Sequence, residues 1–294
     1  MSRYFLAFVA VLSAAPSFAY AECQASFVNT SSQVDVQVSS LDDPQVSKRF
    51  FVEVRNNGDE ACQVRLAVGR DRAASARSFP PYTLSGPTGL APAAMIPSVS
   101  RGSDDRTASP IHVPANSQVS IPYDVRFEVN WGMPSGDYDQ ELHFELYGSD
   151  GQQELASQRT RLRLNIPPVA KVRFSGASGA DGAAQLEMGA LSSTLKTQSP
   201  PFAIRVLSTS AYRIELSSQN RGALLRTNGP DLIPYDLLLD GERMQLKGGG
   251  DSATVNGPTH GTGTVHPVRV IIDPDPTRHA GTYSDRITVT ITTI

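Results

Sequence analysis

The chain has 294 residues, enough for one or two domains with buried cores. Charged residues make up only 19% and aromatic residues 7%, while 23 glycines and 21 prolines accompany little helical periodicity, so the composition favours an all-β, turn-rich protein. A formal net charge of -3 provides no basic surface for nucleic acid or for an anionic membrane, and we expect neither as a partner.

Residues 1–21 have the pattern of a secretory signal peptide. Arg3 supplies the positive region, residues 4–15 the apolar region and Ala19-Tyr20-Ala21 the small-x-small cleavage motif, which predicts a mature start at Glu22. No later apolar run approaches the roughly 20 residues that a membrane-spanning helix needs. We therefore expect an exported protein without membrane insertion.

Cys23 and Cys62 are the only cysteines. In an oxidising compartment two lone cysteines are expected to pair, and two unpaired buried thiols are the alternative. Closing a loop of about 40 residues would stabilise the fold by about 4 kcal/mol in the chain-entropy model. Two distant cysteines are too few ligands for a metal site, and no CxxC redox motif is present.

The N-terminal part of the chain shows the period-two alternation of strands with one buried face. The predicted strand segments are 34–38, 50–54, 62–68, 119–129, 142–146 and 155–166. Pro167-Pro168 is a stiff break, and the Gly- and Ser-rich run after it is typical of a linker. This predicts an N-terminal, adhesin-like β-sandwich over residues 22–167, a linker region over 168–182 and a second domain over 183–294.

Residues 79–97 are rich in proline and glycine yet unusually apolar, and long loops inside compact domains are commonly functional. One interpretation is an exposed contact surface, joined by the turn around Trp131 if the turns cluster at one end of the sandwich. The other is that the loop's apolar side chains fold inward and cap the core. The candidate contact residues are Phe79, Tyr82, Leu84, Leu90, Met95, Ile96, Trp131 and Met133.

The second domain repeats the plan of the first. Tyr212, Ile214 and Leu216 match Cys62, Val64 and Leu66 at an offset of about 150 residues, which predicts two sandwich-like domains of roughly 130 residues each. The final segment also repeats an earlier one. Gly281, Tyr283, Ile287, Val289 and Ile291 match Gly136, Tyr138, Leu142, Phe144 and Leu146.

The two copies of this segment differ on their C-terminal side. The earlier copy precedes another strand pattern, in which Leu162, Leu164 and Ile166 alternate, whereas the sequence ends with the later copy. We therefore expect the second sandwich to lack its closing strand and to present a groove beside its last strand. The candidate strand-accepting residues are Ile287, Val289, Ile291 and Ile294.

No catalytic pattern is found. GxSxG, HExxH, P-loop and GxGxxG motifs are absent from the sequence, and the five histidines are scattered. Asp273, Asp275 and His279 stand near one another, but alternating Asp and Pro is ordinary turn chemistry. The sequence favours a binding or structural protein, and we expect no enzymatic activity, no metal and no cofactor.

The second domain resembles the spore coat protein U domain, the pilin-type domain of archaic chaperone–usher pili. The resemblance covers about residues 170–294 and is strongest at the C-terminal motif. The residues that carry it are PFAIRV (201–206), AYRIELSS (211–218), LIPYDL (232–237) and AGTYSDRITVTI (280–291). Such domains usually carry a disulfide, whereas here Leu207 stands near the expected cysteine.

The resemblance implies an incomplete immunoglobulin-like fold, completed first by a periplasmic chaperone and then by the N-terminal arm of the next subunit. Because Cys23 is expected to be tied into the first domain, this chain has no obvious arm to donate. A subunit that accepts a strand without donating one belongs at the end of a fibre. The resemblance thus predicts a tip adhesin, exported to the periplasm, assembled by an outer-membrane usher and presented on the cell surface.

The same resemblance implies a function for the N-terminal domain, namely attachment to an abiotic or host surface and biofilm formation. The alternative is a self-contained secreted protein of the spore coat U type, whose final strands pair internally and which binds a carbohydrate or envelope partner. The two hypotheses differ in whether the last strand has a free edge.

Overall fold

The computed structural model describes residues 23–43, 45–70, 79–87, 89–92, 108–176 and 183–294. The described chain is built of β-strands and one short 3-10 helix, Leu246–Gly248, which confirms the predicted all-β class. None of its helices has the length and hydropathy needed to cross a membrane. The predicted signal peptide lies outside the described residues.

The first sandwich comprises the first ten strands described and contains two five-stranded sheets. The strands are β1 (Ala25–Phe27), β2 (Ser31–Gln37), β3 (Gln45–Asn56), β4 (Cys62–Arg70), β5 (Tyr82–Gly86), β6 (Gly89–Pro92), β7 (Ser109–Val113), β8 (Gln118–Glu128), β9 (Gly136–Tyr147) and β10 (Glu154–Ile166). One sheet has the order β1-β3-β8-β5-β6 and the other β2-β10-β9-β4-β7. β2 runs parallel to β10, while the other pairs are antiparallel.

The core of this sandwich is filled by the inward-facing residues of both sheets, among them the fully buried Phe127 and Phe144. Cys23 and Cys62 form the predicted disulfide, with 5.5 Å between their Cα atoms. Cys23 precedes β1 in one sheet and Cys62 begins β4 in the other, so the bond ties the two sheets together at the start of the domain.

The second sandwich comprises the remaining strands. They are β11 (Ala170–Ser175), β12 (Thr197–Gln198), β13 (Phe202–Ser208), β14 (Tyr212–Ser218), β15 (Ala223–Arg226), β16 (Leu232–Pro234), β17 (Asp236–Leu239), β18 (Glu242–Met244), β19 (Gly250–Val255), β20 (Thr264–Ile272), β21 (Tyr283–Ser284) and β22 (Ile287–Thr293). The larger sheet has the order β11-β13-β20-β17-β18, with β12 also on β20. Facing it are the sheets β19-β14-β22 and β16-β15-β21.

The predicted linker over 168–182 is wrong for its first part. β11 pairs with β13 along its whole length, so residues 170–175 belong to the second sandwich. Only residues 167–169 connect β10 to β11, and residues 177–182 lie outside the described chain.

The predicted internal repeat is present in three dimensions. Tyr138 donates a hydrogen bond from its hydroxyl to the carbonyl of Pro134 at 2.6 Å, and Tyr283 donates one to the carbonyl of His279 at 2.8 Å, four residues back in both cases. The glycines two residues before these tyrosines, Gly136 and Gly281, both have a positive φ that favours glycine.

The strand pairing corrects the predicted offset. Leu146 of β9 pairs with Leu66 of β4, and Ile291 of β22 pairs with Ile214 of β14. Ile214 therefore corresponds to Leu66, an offset of 214 − 66 = 148 residues, rather than to Val64. The two-residue shift left the predicted buried face unchanged because side chains alternate with period two.

Candidate functional site

The last strand, β22, lies at the edge of its sheet. It pairs with β14 along its whole length, and no second strand of the described chain pairs with its other side. Ile287, Val289 and Ile291 face the core of the second sandwich but stay partly exposed, while Thr288 and Thr290 point outward. The predicted strand-accepting residues thus form one edge of the sandwich, with Ile294 exposed just beyond it.

In the first sandwich, the strand that corresponds to β22 has a neighbour on both sides. This strand, β9, pairs with β4 on one side and with β10 on the other. Leu142, Phe144 and Leu146 are completely buried there, unlike their counterparts on β22. The second sandwich has no counterpart of β10 among its described strands, and its three apolar side chains are more exposed than Leu142, Phe144 and Leu146.

The larger sheet of the second sandwich also ends in an edge strand on the side of β22. Its edge strand β11 directs Val172 and Phe174 toward the core, and both are partly exposed. The ring of Phe174 stacks on that of Phe202, with 5.9 Å between centroids. At the opposite side of the sandwich, Met244 of β18 and Leu246 of the β18–β19 connection are buried. On the side away from β18 and β19, β11 and β22 approach each other without pairing, and we call this side the β11/β22 groove.

A second segment packs on the same core. Leu186 and Met188, from the extended segment that comes after β11 in the chain, are partly buried against it. In the first sandwich the strand that comes after β1 is β2, which lies parallel to β10. The segment around Leu186 therefore corresponds to β2 of the first sandwich in its order along the chain.

Asp285 fixes the start of β22. Its Oδ2 accepts hydrogen bonds from the hydroxyls of Ser218 at 2.6 Å and Tyr235 at 2.5 Å, and its Oδ1 accepts one from the backbone N–H of Asn220 at 3.0 Å. Burial, followed by the hydrogen bond to Asp285, raises the pKa of Tyr235. This network joins the end of β14 to the start of β22 and was not predicted from the sequence.

The two sheets of the second sandwich are joined by a row of hydrogen-bonded side chains, of which Tyr212 and His266 are buried. The hydroxyl of Tyr212 on β14 is hydrogen-bonded to Nε2 of His266 on β20 at 2.7 Å, and Nδ1 of His266 lies 2.7 Å from a carboxylate oxygen of Asp240. Burial raises the pKa of Tyr212. Because this domain contains no cysteine, these hydrogen bonds join its two sheets without a covalent bond.

Two predicted surface-contact residues are corrected by the structure. Tyr82 and Leu84 lie on the inner face of β5 and are only 5% and 3% exposed, so they cannot contact an external surface. Phe79 is partly buried and packs edge-on against the rings of Tyr82 and Phe127. For these residues the inward-packing alternative is right. Met95 and Ile96 lie outside the described residues, and so does the side chain of Leu90.

Trp131 and Met133 are partly buried against the first core and lie where the two sandwiches meet. In their turn, the backbone N–H of Ser135 donates to the carbonyl of Thr209 at 2.6 Å. Nearby, Nζ of Lys171 lies 2.7 Å from a carboxylate oxygen of Asp42. The Lys171 hydrogen bond, with a smaller contribution from Trp131, lowers the pKa of Asp42. This turn therefore contacts the second sandwich.

No group of three or more His, Cys, Asp or Glu side chains in the described chain is placed to hold a metal ion. His279 contacts Asp231, with 2.9 Å between Nδ1 and Oδ1, while Asp275 accepts hydrogen bonds from Thr277 in its own turn. The polar side chains of this region thus stabilise turns.

Comparison with known proteins gives one family. Residues 179–290 match the model of the Spore Coat Protein U domain. No curated protein matches the chain.

Solved structures resemble the chain at low identity. The Csu chaperone–tip adhesion subunit complex of Acinetobacter baumannii matches at 14% identity, over 92% of this chain and 99% of that one, with a TM-score of 0.45. The CFA/I adhesin of enterotoxigenic E. coli matches at 10% identity over 90% and 92%, with a TM-score of 0.39. The CupB6 tip adhesin of Pseudomonas aeruginosa matches at 11% identity over 83% and 86%, with a TM-score of 0.38.

Proposed function

From the match of residues 179–290 to the Spore Coat Protein U domain, we propose that the chain is the tip subunit of an archaic chaperone–usher pilus. The second sandwich joins the fibre by accepting a strand in the β11/β22 groove. The first sandwich mediates attachment to an abiotic or host surface and thereby biofilm formation. The chain acts by binding and assembly and has no enzymatic role.

The observation that carries this proposal is the contrast between β9 and β22. β9 has β10 beside it and its apolar residues are buried, whereas β22 has a free edge and partly exposed apolar residues in the same register. A strand added at β22 would gain main-chain hydrogen bonds from the edge and would bury Ile287, Val289 and Ile291. An unprotected edge of this kind is prone to aggregation, so it favours a partner that covers it.

The proposed partners act one after another, in the order of assembly that the resemblance implies. A periplasmic chaperone covers the groove first, an outer-membrane usher exports the subunit, and the N-terminal arm of the adjacent pilin then replaces the chaperone. The signal-like pattern of residues 1–21 supports export to the periplasm and then to the cell surface.

The disulfide supports a terminal place in the fibre. With cleavage after Ala21, Cys23 is the second residue of the mature chain, and its bond to Cys62 holds it on the first sandwich. The residues from Cys23 onward are thus held on the first sandwich and are not free to serve as a donor arm, which supports a place at the end of the fibre.

The strand-accepting part of the proposal is tested by co-expressing the chain with its cognate chaperone. We expect a soluble one-to-one complex. Val289→Asp should reduce its yield at least about tenfold, because it places a charge at the base of the groove. Thr290→Asp, on the outward face of the same strand, is the matched control and should leave the yield unchanged. A stable monomer that forms no chaperone complex would instead support a self-contained secreted protein.

The attachment role is tested on the candidate loop residues that the structure does not place in the core. Leu90→Ser combined with Met95→Ser should reduce attachment of piliated cells to a hydrophobic surface several-fold while leaving pilus assembly intact, because both changes remove apolar contact area. Leu84→Ser is excluded from the set since its side chain is buried. Unchanged attachment with normal piliation would remove this loop as the contact surface.

A further inference from the structure

Two leucines of the second sandwich are exposed side by side. Leu225 of β15 and Leu232 of β16 are directly paired across the two strands and are 38% and 56% exposed. Their neighbours Leu224 and Ile233 pair in the same way but face the core. We call the exposed pair the leucine face. Contiguous apolar side chains on a surface mark contact sites more often than isolated ones do.

The leucine face lies at the pole of the second sandwich that is remote from the first. β14 runs about 20 Å, at roughly 3.3 Å per residue, from Tyr212 to Ser218. The turn before Tyr212 contacts the first sandwich through Thr209, whose carbonyl accepts from the N–H of Ser135. Ser218 is hydrogen-bonded to Asp285 at the other end, where β15 begins and β21 ends.

The internal repeat gives the direction in which a strand would occupy the groove. β10 is antiparallel to β9, and β22 is the counterpart of β9, so a strand in the position of β10 would run antiparallel to β22. β22 runs from the remote pole at Ile287 toward the junction at Thr293. An added strand would therefore run from the junction toward the remote pole and leave the sandwich there.

We propose that the leucine face docks against the folded body of the subunit that donates the strand. This rests on the proposed function, in which the strand is the N-terminal arm of the adjacent pilin. Such an arm is followed in the chain by the body of its own subunit, and the antiparallel direction places that body at the remote pole. The first sandwich already occupies the other pole, and the leucine face is a paired apolar surface near the pole where the strand would leave.

The surroundings of the leucine face indicate the chemistry of the partner surface. Asp231 lies next to Leu232 and is paired with Arg226, with 2.8 Å between Nε and Oδ2, and with His279 on its other oxygen at 2.9 Å. An apolar centre with a charged, partly exposed rim is the arrangement found in protein–protein interfaces. The partner surface should present apolar side chains to the two leucines and polar groups to the rim.

Docking of the folded subunit and insertion of its strand are two separate binding events, and two probes measure them independently. One is a synthetic peptide of the N-terminal arm of the adjacent pilin in the proposed fibre, and the other is that whole pilin subunit. The variant is Leu225→Ser with Leu232→Ser. The matched control is Val265→Ser, an exposed apolar residue at the junction end of β20.

We expect the leucine variant to bind the arm peptide as the unchanged chain does and to bind the whole subunit at least about tenfold more weakly. The control should bind both probes normally. Equal binding of the whole subunit by the leucine variant and the unchanged chain would overturn the docking proposal and leave strand insertion intact. Failure of the unchanged chain to bind the arm peptide would overturn the proposed function itself.

Discussion

A strand fused after Ile294 through a flexible linker is expected to stabilise the second sandwich strongly. The added strand, taken from the N-terminal arm of the adjacent pilin, would pair with β22 and cover Ile287, Val289 and Ile291. Completing the burial of three partly exposed side chains contributes about 1 kcal/mol each. For a domain of this size a gain of about 3 kcal/mol corresponds to a rise in melting temperature of roughly 10 °C. Calorimetry of the fusion and the unchanged chain measures this rise.

The control for the fusion is the same linker and arm with serine at the alternate apolar positions of the arm. This version keeps the length and the backbone but has no side chains to fill the groove, so its melting temperature should remain near that of the unchanged chain. The fused chain should also lose its binding to the chaperone, because the groove is occupied. A fusion that neither raises the melting temperature nor blocks the chaperone would contradict an open groove beside β22.

Removing the disulfide is expected to destabilise the first sandwich alone. The bond between Cys23 and Cys62 closes a loop with a sequence separation of 39 residues. In the chain-entropy model such a loop contributes about 4 kcal/mol. Cys23→Ala combined with Cys62→Ala should therefore lower the melting transition of the first sandwich by more than roughly 10 °C.

The second sandwich provides an internal control for this change, because it contains no cysteine. Its stability depends on the Tyr212, His266 and Asp240 chain and on packing, so its transition should not move in the double variant or under reducing conditions. An equal shift of both transitions would mean that the two sandwiches unfold as one unit. An unshifted first transition would show that the bond does not stabilise this domain.

The strands were largely predictable because each sandwich buries one face of its sheets. The alternation of apolar and polar residues in segments such as 62–68 and 142–146 therefore predicted both that a strand forms and which of its faces is buried. The matching of Gly136 and Tyr138 to Gly281 and Tyr283 predicted the repeat, since both pairs make the same turn with the same hydrogen bond. The partner of each strand was less predictable, because alternation is compatible with many neighbours.

The wrong predictions have specific physical causes. Tyr82 and Leu84 stand in a proline-rich stretch that resembles a loop, but tertiary pairing of β5 with β8 turns them into the core. Residues 170–175 come after two prolines, yet β13 offers a free edge on which they form a strand. The Asp285 network was missed because its partners Ser218 and Tyr235 are distant in sequence, and no local pattern indicates a partly buried carboxylate that accepts from both.

Amide hydrogen exchange over Ile287–Thr293, measured in the chain alone and in its chaperone complex, tests the open edge most directly. In an edge strand only alternate N–H groups bond to the neighbouring strand, while the others face the free side. We predict that the alternate amides facing away from β14 exchange rapidly in the chain alone and become protected in the complex. Protection of every amide of β22 in the chain alone, or no change on binding the chaperone, would contradict a strand-accepting edge.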